Sequence, residues 1–298
     1  MTHTSPTGIW LPLVTPFTDS VLDEASVRRL VAHYASTSID GLILAATTGE
    51  GLTLDEDETT RLIAIARDSL ARVSGPQIPV WLGLCGSDTA KMVKDLRRAD
   101  QQPVDGYLIA CPYYTRPAQE GLYEHFAALA GSTDRPIMIY NIPYRTGVNL
   151  GNETMLRLAA LPNIVGVKDC CANPDQSFDL TRGRPPGFSV LTGEDPFFHA
   201  ALGQGADGGI LASAHAAPQA FASVRALFLA GEREAALTAW RTLVEVPRLL
   251  FAEPSPGPVK HWLWRAGLIG SPEVRLPMTR PSAALAARID SAVRRAVH

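Results

Sequence analysis

The chain has 298 residues, 46% of them hydrophobic and 19% charged, which is the composition of a folded globular protein and not of a disordered one. Its formal net charge of -3 gives no electrostatic reason to expect nucleic acid as a partner. There is no signal-peptide pattern at the start and no apolar stretch long enough to cross a bilayer, so we expect a cytoplasmic protein that binds no membrane.

Short apolar segments rich in β-branched residues recur along the chain, and each is followed by a segment with helical periodicity. Strands such as Ile164-Val-Gly-Val are almost wholly apolar, as parallel strands covered on both faces are. The candidate strands, in chain order, are Gly8–Phe17, Gly41–Thr47, Pro79–Cys85, Gly106–Pro112, Pro136–Pro143, Ile164–Cys171, Phe188–Glu194 and Gly208–Ala214.

The segments between the strands carry the signals of helix starts. Asp23 opens the first, Thr53-Leu-Asp-Glu-Asp resembles a capped acidic start, and Ser87-Asp-Thr-Ala begins the third. Eight alternating units predict an α/β fold of the (β/α)8 TIM-barrel type. An open doubly wound sheet is the alternative, but no nucleotide-binding turn follows the first strand.

More helix follows the eighth strand than one closing helix requires. Three prolines in Glu253-Pro-Ser-Pro-Gly-Pro must interrupt any regular helix there. We therefore divide the chain into a flexible N-terminus (1–7), a barrel (8–231) and a C-terminal helical extension (232–298). The helices predicted after the last strand are Pro218–Gly231, Glu232–Phe251, Val259–Leu268 and Ala283–Val297.

Motifs that would indicate a dinucleotide, a metal, a disulfide or a serine nucleophile are either in the wrong context or absent from the sequence. Gly203-Gln-Gly-Ala-Asp-Gly208 satisfies G-x-G-x-x-G, but it enters a strand, whereas a dinucleotide site leaves one. The histidines show no zinc-binding spacing, the cysteines include no C-x-x-C pair, and there is no G-x-S-x-G turn for a serine nucleophile. We therefore expect no metal site, no disulfide and no serine hydrolase.

Lys168 stands where the sixth strand reaches the end of the predicted barrel, and active sites of such barrels lie at the carboxyl ends of their strands. Burial in an apolar barrel lowers the pKa of a lysine and frees the amine to attack a carbonyl. On this segment alone, a lysine that has left the strand and sits in water is the more common case.

Other strand ends carry polar side chains that suit the same chemistry. Tyr140 ends the fifth strand and could pass protons, although an ordinary core tyrosine is about as common. Arg145 follows it, and a guanidinium binds carboxylates in a bidentate way, although a solvated loop arginine is usual. Thr47 and Thr48 form a hydroxyl pair on a glycine turn, and Tyr114 offers a further hydroxyl.

Together these motifs resemble the dihydrodipicolinate synthase and N-acetylneuraminate lyase superfamily, whose members are pyruvate-dependent class I aldolases. The resemblance covers nearly the whole chain and follows the order of the family. The matching motifs are Thr47-Thr48-Gly49-Glu50, Cys111-Pro-Tyr-Tyr114 with Arg116-Pro-x-Gln-Glu-Gly-Leu-Tyr, Tyr140-Asn-Ile-Pro-x-Arg145-Thr-Gly, Gly166-Val-Lys168-Asp and Pro258-Val-Lys260.

The resemblance implies a role for each matching site residue. Lys168 would form the Schiff base, so that the lysine–pyruvate imine takes the place of a cofactor, and Tyr140 would be the general acid and base. Thr47 and Thr48 would hold the pyruvate carboxylate, with Thr48 also in a proton relay. Tyr114 would cross a subunit interface to complete a neighbour's relay, which implies a homodimer or homotetramer. Ile210 would present its backbone carbonyl to pyruvate.

Arg145 favours the synthase branch, in which the resemblance implies that it binds the carboxylate of L-aspartate 4-semialdehyde. The expected reaction condenses this aldehyde with pyruvate to give 4-hydroxy-tetrahydrodipicolinate, a step of lysine biosynthesis. An aldolase or dehydratase acting on another 2-oxo acid or sugar acid is the alternative, and a barrel that binds an oxo acid without turnover is a third.

The sequence departs from the synthase pattern in two places. Around the site, Gly51 replaces a serine, Tyr144 a small residue, Glu194-Asp195 an Asp-Asp pair and His215 an asparagine. At the positions where the resemblance implies that inhibited synthases bind lysine with His, His, Asn and Glu, the chain has Glu56, Thr59, Ser87 and Lys91. Since Lys91 would repel a cationic ligand, we expect that free lysine does not inhibit.

Overall fold

The computed structural model describes residues 4–75 and 77–297, the last without its side chain. Its parallel strands follow one another in chain order and close into a barrel, which confirms the predicted fold class. Numbered along the chain, the barrel strands are β1 (Gly8–Pro12), β2 (Gly41–Leu44), β3 (Val80–Leu84), β4 (Gly106–Ala110), β5 (Ile137–Asn141), β6 (Ile164–Asp169), β7 (Ser189–Thr192) and β8 (Gly208–Ile210).

Helices alternate with these strands and continue after the last one. The helices are α1 (Glu24–Ala35), α2 (Glu56–Ala71), α3 (Thr89–Ala99), α4 (Gln119–Ala130), α5 (Pro143–Thr146), α6 (Asn152–Leu158), α7 (Pro174–Gly183), α8 (Phe198–Gly203), α9 (Pro218–Leu229), α10 (Arg233–Leu243), α11 (Glu245–Leu250), α12 (Gly257–Arg265) and α13 (Ala283–Val297).

The predicted helix starts are confirmed at the level of single hydrogen bonds. Asp23 caps α1 by accepting from the Ser26 N–H at 3.0 Å, and Asp88 caps α3 through the N–H of Ala90 at 2.9 Å. At α2 the Asp55 and Glu58 side chains form a full capping box. Each cap satisfies N–H groups that a helix start otherwise leaves without a partner.

Every strand is shorter than predicted, because the chain leaves the sheet before its apolar run ends. β1 stops at Pro12 and not at Phe17, and Phe17–Thr18 instead pairs with Val21–Leu22 in a small antiparallel hairpin. β2 stops at Leu44, and Thr47–Gly49 forms a 3-10 turn. The threonine pair therefore lies on a loop after the strand.

The prediction of one helix over Glu232–Phe251 is wrong. The helix is interrupted at Val244, between α10 and α11. Pro247 has no N–H to donate to the carbonyl four residues earlier, so the regular ladder cannot continue through it. The other predicted interruption, in the proline-rich segment from Glu253, is confirmed, since α12 begins only at Gly257.

The chain divides into two compact units, the first comprising the residues up to Gly8 with Trp81–Ile210, the second comprising Ile9–Val80 with the residues from Leu211 onward. Residues 1–3 of the segment predicted to be flexible lie outside the described residues. Within the rest of it, Pro6 is buried and its carbonyl accepts a hydrogen bond from the Ser189 hydroxyl.

His215 organises the interior of the second unit. It is 2% exposed, its Nε2 accepts from the Val14 N–H at 3.2 Å and its Nδ1 lies 2.7 Å from the Ala212 carbonyl, which selects the tautomer protonated at Nδ1. The Tyr34 hydroxyl donates to the His215 carbonyl at 2.7 Å. The histidine that replaces the expected asparagine therefore holds the chain just after β1.

Two absences apply to residues 4–75 and 77–297. Within those ranges, the structure has no helix whose length and apolarity would let it span a bilayer. Nor do three or more His, Cys, Asp or Glu side chains gather there as metal ligands would. All four cysteines are free thiols.

The burial of His215 predicts acid sensitivity. Burial lowers the pKa of His215 from 6.5 to about 4, so between these values the unfolded chain binds a proton that the folded chain excludes. Stability is then lost as the pH falls, by about 2 kcal/mol from this residue between pH 7 and pH 5. Urea unfolding at both pH values should show a smaller loss for His215→Asn than for the wild type. Equal losses would contradict the prediction.

Candidate active site

Lys168 and Tyr140 are neighbours on adjacent strands of the first unit. They are register partners in the pairing of β5 with β6, so their side chains leave the sheet on the same face. Both are 6% exposed, and the Lys168 Nζ lies 4.2 Å from the centroid of the Tyr140 ring. The structure thus joins an amine and a phenol in a place that water hardly reaches.

Burial changes the acidity of both groups in useful directions. It lowers the pKa of the Lys168 amine, against the opposing effect of Asp195 and Glu194, whose negative charges favour the ammonium form. It raises the pKa of the Tyr140 phenol well above its usual value. A larger fraction of the amine is therefore uncharged at neutral pH, while the phenol keeps its proton and can donate it.

Gly193 gives Lys168 the space that it occupies, a contribution that the sequence analysis missed. A Cβ atom at Gly193 would lie 2.4 Å from the Lys168 Cε and 2.5 Å from the Cys170 Sγ, closer than real atoms approach. Gly193 directly follows β7, which pairs with β6. The sequence does contain a signal for this role, because Gly193 lies at the carboxyl end of the strand predicted to lie next to the strand of Lys168.

The short helix after β5 carries Tyr144 and Arg145, the residues by which the sequence analysis distinguishes candidate second substrates. Tyr144 and Arg145 are both exposed in α5. The Tyr144 hydroxyl donates to the Glu194 Oε1 at 2.7 Å, which ties α5 to the loop after β7. Arg145 makes no ion pair within the part of the chain that the structure describes, so its guanidinium is available to an anionic ligand.

Tyr114 and Ile210 also lie at carboxyl ends of strands in the first unit. Tyr114 is 91% exposed and has a left-handed backbone, with φ of 71°, held by a 3.0 Å hydrogen bond from its N–H to the Thr146 carbonyl. A fixed backbone with a fully exposed aromatic ring suits contact with another molecule. Ile210 is the last residue of β8 and is 1% exposed.

Thr47 and Thr48 belong to the second unit, where they begin the 3-10 turn after β2. Thr47 is exposed and Thr48 is 7% exposed. The Gly49 carbonyl, next in the turn, accepts a hydrogen bond from the Thr15 hydroxyl at 2.6 Å. The turn is therefore fixed from one side by the segment that follows β1.

A cavity of about 230 Å³ lies on the other face of the same strands. Asp169 and Thr192 line it together with residues of α7 and α8, whereas Lys168 does not. Because successive side chains of a strand point to opposite faces, a cavity lined by Asp169 is on the side of the sheet away from Lys168. It lies apart from the lysine and the tyrosine.

The chain is similar to known proteins over nearly all of its length. The sequence model of the Dihydrodipicolinate synthetase family matches residues 5–296. A protein named 4-hydroxy-tetrahydrodipicolinate synthase 2, from Clostridium acetobutylicum, is 41% identical over 271 residues, which cover 91% of this chain and 93% of the relative.

Solved structures are similar over almost the whole chain. The dihydrodipicolinate synthase of Thermotoga maritima superposes with a TM-score of 0.93 at 33% identity, with 99% of each chain covered. The chloride-inhibited dihydrodipicolinate synthase of Acinetobacter baumannii, solved in complex with pyruvate, has a TM-score of 0.91 at 32% identity and covers 98% of this chain and 99% of its own.

Proposed function

The chain belongs to the dihydrodipicolinate synthetase family of lyases, and we propose that it condenses pyruvate with L-aspartate 4-semialdehyde through a Schiff base on Lys168. The observation that carries this proposal is the dry contact between the Lys168 amine and the Tyr140 ring, at 4.2 Å. Burial favours the uncharged amine, which is the form that attacks a ketone, and a neighbouring phenol that keeps its proton can protonate the departing oxygen.

The proposed reaction uses the residues in a fixed order. The Lys168 amine adds to the carbonyl carbon of pyruvate, and Tyr140 supplies the proton with which oxygen leaves as water, so that an imine forms. The Tyr140 phenolate left by that step takes a methyl proton, which gives the enamine. The enamine carbon then attacks the aldehyde, whose oxygen takes the proton back from Tyr140. The amino group of the semialdehyde then displaces Lys168, which closes the ring and frees the enzyme. The lysine itself supplies the electrophilic imine, and the proposal includes no cofactor.

The remaining predicted roles belong to the proposal as well. Thr47 and Thr48 are assigned to the pyruvate carboxylate, Thr48 also to the proton relay, and the Ile210 carbonyl to pyruvate. In support, Thr48 is a buried hydroxyl on a turn held by Thr15, and Ile210 ends a strand. The pyruvate complex of the Acinetobacter baumannii relative agrees with this choice of first substrate. A cytoplasmic location is also proposed.

Borohydride trapping tests the lysine. Purified protein treated with pyruvate and borohydride should gain one reduced pyruvate adduct per chain, seen by intact-mass spectrometry and placed at Lys168 by peptide mapping. Lys168→Ala should gain none, and Tyr140→Phe should form the adduct more slowly because the proton donor is lost. An unmodified wild type, or full modification of Lys168→Ala, would refute the Schiff base.

A second candidate function shares the imine but uses another aldehyde, or a hydroxylated 2-oxo acid. It is favoured by the hydrogen bond between Tyr144 and Glu194. This bond holds the Tyr144 side chain next to Arg145, in space that a small residue would leave open. Both candidates require Lys168, and they differ in what Arg145 binds.

Arg145 separates the two candidates. Arg145→Ala should raise the KM for L-aspartate 4-semialdehyde by about tenfold or more and leave pyruvate trapping intact, since a bidentate charged contact is lost. Arg145→Lys serves as a control that keeps the charge without the fork. Steady-state assays against a panel of aldehydes give the comparison. Unchanged semialdehyde turnover in Arg145→Ala would remove this substrate from the proposal.

Tyr114 is proposed to act in the site of a second subunit, in a homodimer or homotetramer. Its ring is 91% exposed on a backbone that is hydrogen-bonded in place, as a residue reaching into a partner would be. Lys168→Ala and Tyr114→Phe are each expected to be nearly inactive, whereas mixed oligomers contain a site with both residues intact.

Subunit mixing therefore tests this role. Activity should return when the two variants are unfolded together and refolded, or exchanged, and mass spectrometry should show hybrid oligomers. Hybrids that form without regaining activity would show that Tyr114 does not serve a neighbouring site.

A further inference from the structure

A buried ion pair lies directly behind the threonine turn, and the proposed reaction does not use it. Glu50 ends the Thr47-Thr48-Gly49-Glu50 motif, and Lys260 ends the Pro258-Val-Lys260 motif. Their side chains are paired, with Glu50 4% exposed and Lys260 wholly buried. Both residues belong to the second unit. Removing two charges from water is costly, so such a pair needs a reason beyond stability.

Glu50 is the point at which the turn changes direction. Its φ of 54° is left-handed, which a residue with a side chain adopts only when its surroundings impose it. Its N–H donates to the Thr47 carbonyl at 3.1 Å, and its carbonyl accepts from the Thr53 N–H at 2.8 Å. The next residue must be Gly51, where a Cβ would lie 1.8 Å from the Ala45 carbonyl oxygen.

The Glu50 carboxylate is held from the far side by two elements. Lys260, in α12, pairs with it and also donates to the Glu273 carbonyl at 2.8 Å. The backbone N–H of Arg275 donates to the Glu50 Oε2 at 2.8 Å. The Lys260 Nζ and the Arg275 guanidinium lie 4.3 Å and 4.1 Å from the centroid of the Phe17 ring. The carboxylate thus ties the turn to the C-terminal helices.

We propose that Glu50 and Lys260 are positioning residues, which hold the Thr47–Gly49 turn so that its hydroxyl and N–H groups meet the carboxylate of the 2-oxo acid. The inference rests on the proposed function, since Thr47 and Thr48 matter here only as carboxylate ligands. A pair kept only for stability would be served as well by apolar residues of the same size. If the pair instead holds the turn in position, breaking it should weaken the binding of the 2-oxo acid.

The experiment separates pyruvate binding from chemistry in the purified protein. Glu50→Gln keeps the shape of the side chain and removes its charge, and Lys260→Met does the same from the other side. Each should raise the KM for pyruvate by about tenfold and lower kcat by no more than about threefold, because misplaced ligands weaken binding while Lys168 and Tyr140 are untouched. Borohydride trapping at saturating pyruvate should still be complete.

Asp290→Asn is the matched control. Asp290 lies 2.9 Å from the His261 Nε2 and 3.1 Å from the Arg265 Nε, so the substitution removes the ion pair with Arg265 and alters the hydrogen bond with His261, both in helix α12, without reaching the turn. Its KM for pyruvate should stay within about twofold of the wild type.

The pH profile of the wild-type KM for pyruvate gives a readout that does not require Glu50→Gln or Lys260→Met to fold. Burial lowers the pKa of Lys260 to about 8, with Glu50, Glu273 and Arg275 as the charged groups facing it. The wild-type KM for pyruvate should rise as the pH passes 8, since Lys260 then loses its charge and leaves Glu50 unpaired. Lys260→Arg, which stays protonated, should give a flatter profile.

The outcomes are distinguishable. If the wild type traps no pyruvate, the proposed function fails. If the wild type traps pyruvate but folded Glu50→Gln and Lys260→Met keep its KM, the pair has only a structural role and the inference is overturned. If neither variant folds, the profile decides, and a KM that is flat through pH 8 overturns it.

Discussion

The energetic constraint on which the site depends is an amine kept out of water. Lys168 is on a strand whose six residues are all buried, so its charged form loses most of its hydration there, at a cost in free energy. The proposed function gives this cost a reason, because the neutral amine is the form that attacks a carbonyl. The same burial acts with opposite effect on Tyr140, which keeps its proton. One dry environment thus prepares a nucleophile and an acid side by side.

The burial of Lys168 restricts which residues can occupy the neighbouring positions. Gly193 must lack a side chain because Lys168 and Cys170 already fill the space beside it. Buried polar groups have a similar role in the second unit. His215 and the pair of Glu50 with Lys260 fix the loops that follow strands. In both units the strands are apolar and regular, and buried polar contacts specify where the loops lie.

The sequence predicted the features that depend on local pattern. The strands, the closed barrel and the caps of α1, α2 and α3 follow from periodicity and from side chains a few residues apart. The position of Lys168 at a strand end followed from the same pattern. Strand ends were placed too far along, because the sequence pattern of a strand continues into turns that are partly buried, such as Thr47–Gly49, in which Thr48 and Gly49 are buried.

Contacts between residues far apart in the chain could not be predicted in this way. Glu50 and Lys260 pair across 210 positions, and Tyr144 bonds to Glu194 across 50. Each pair joins a residue of a helix to a residue just after a barrel strand or its turn, and no local pattern of the sequence indicates either contact. This separation also has a functional consequence. The lysine and tyrosine lie on strands, whose geometry the whole sheet enforces, whereas Tyr144 and Arg145 lie in the short helix α5 and Glu194 lies on a loop. These connections between strands can change without disturbing the sheet. Under the proposed function, the imine chemistry is therefore constrained by the fold, and the choice of aldehyde can vary within it.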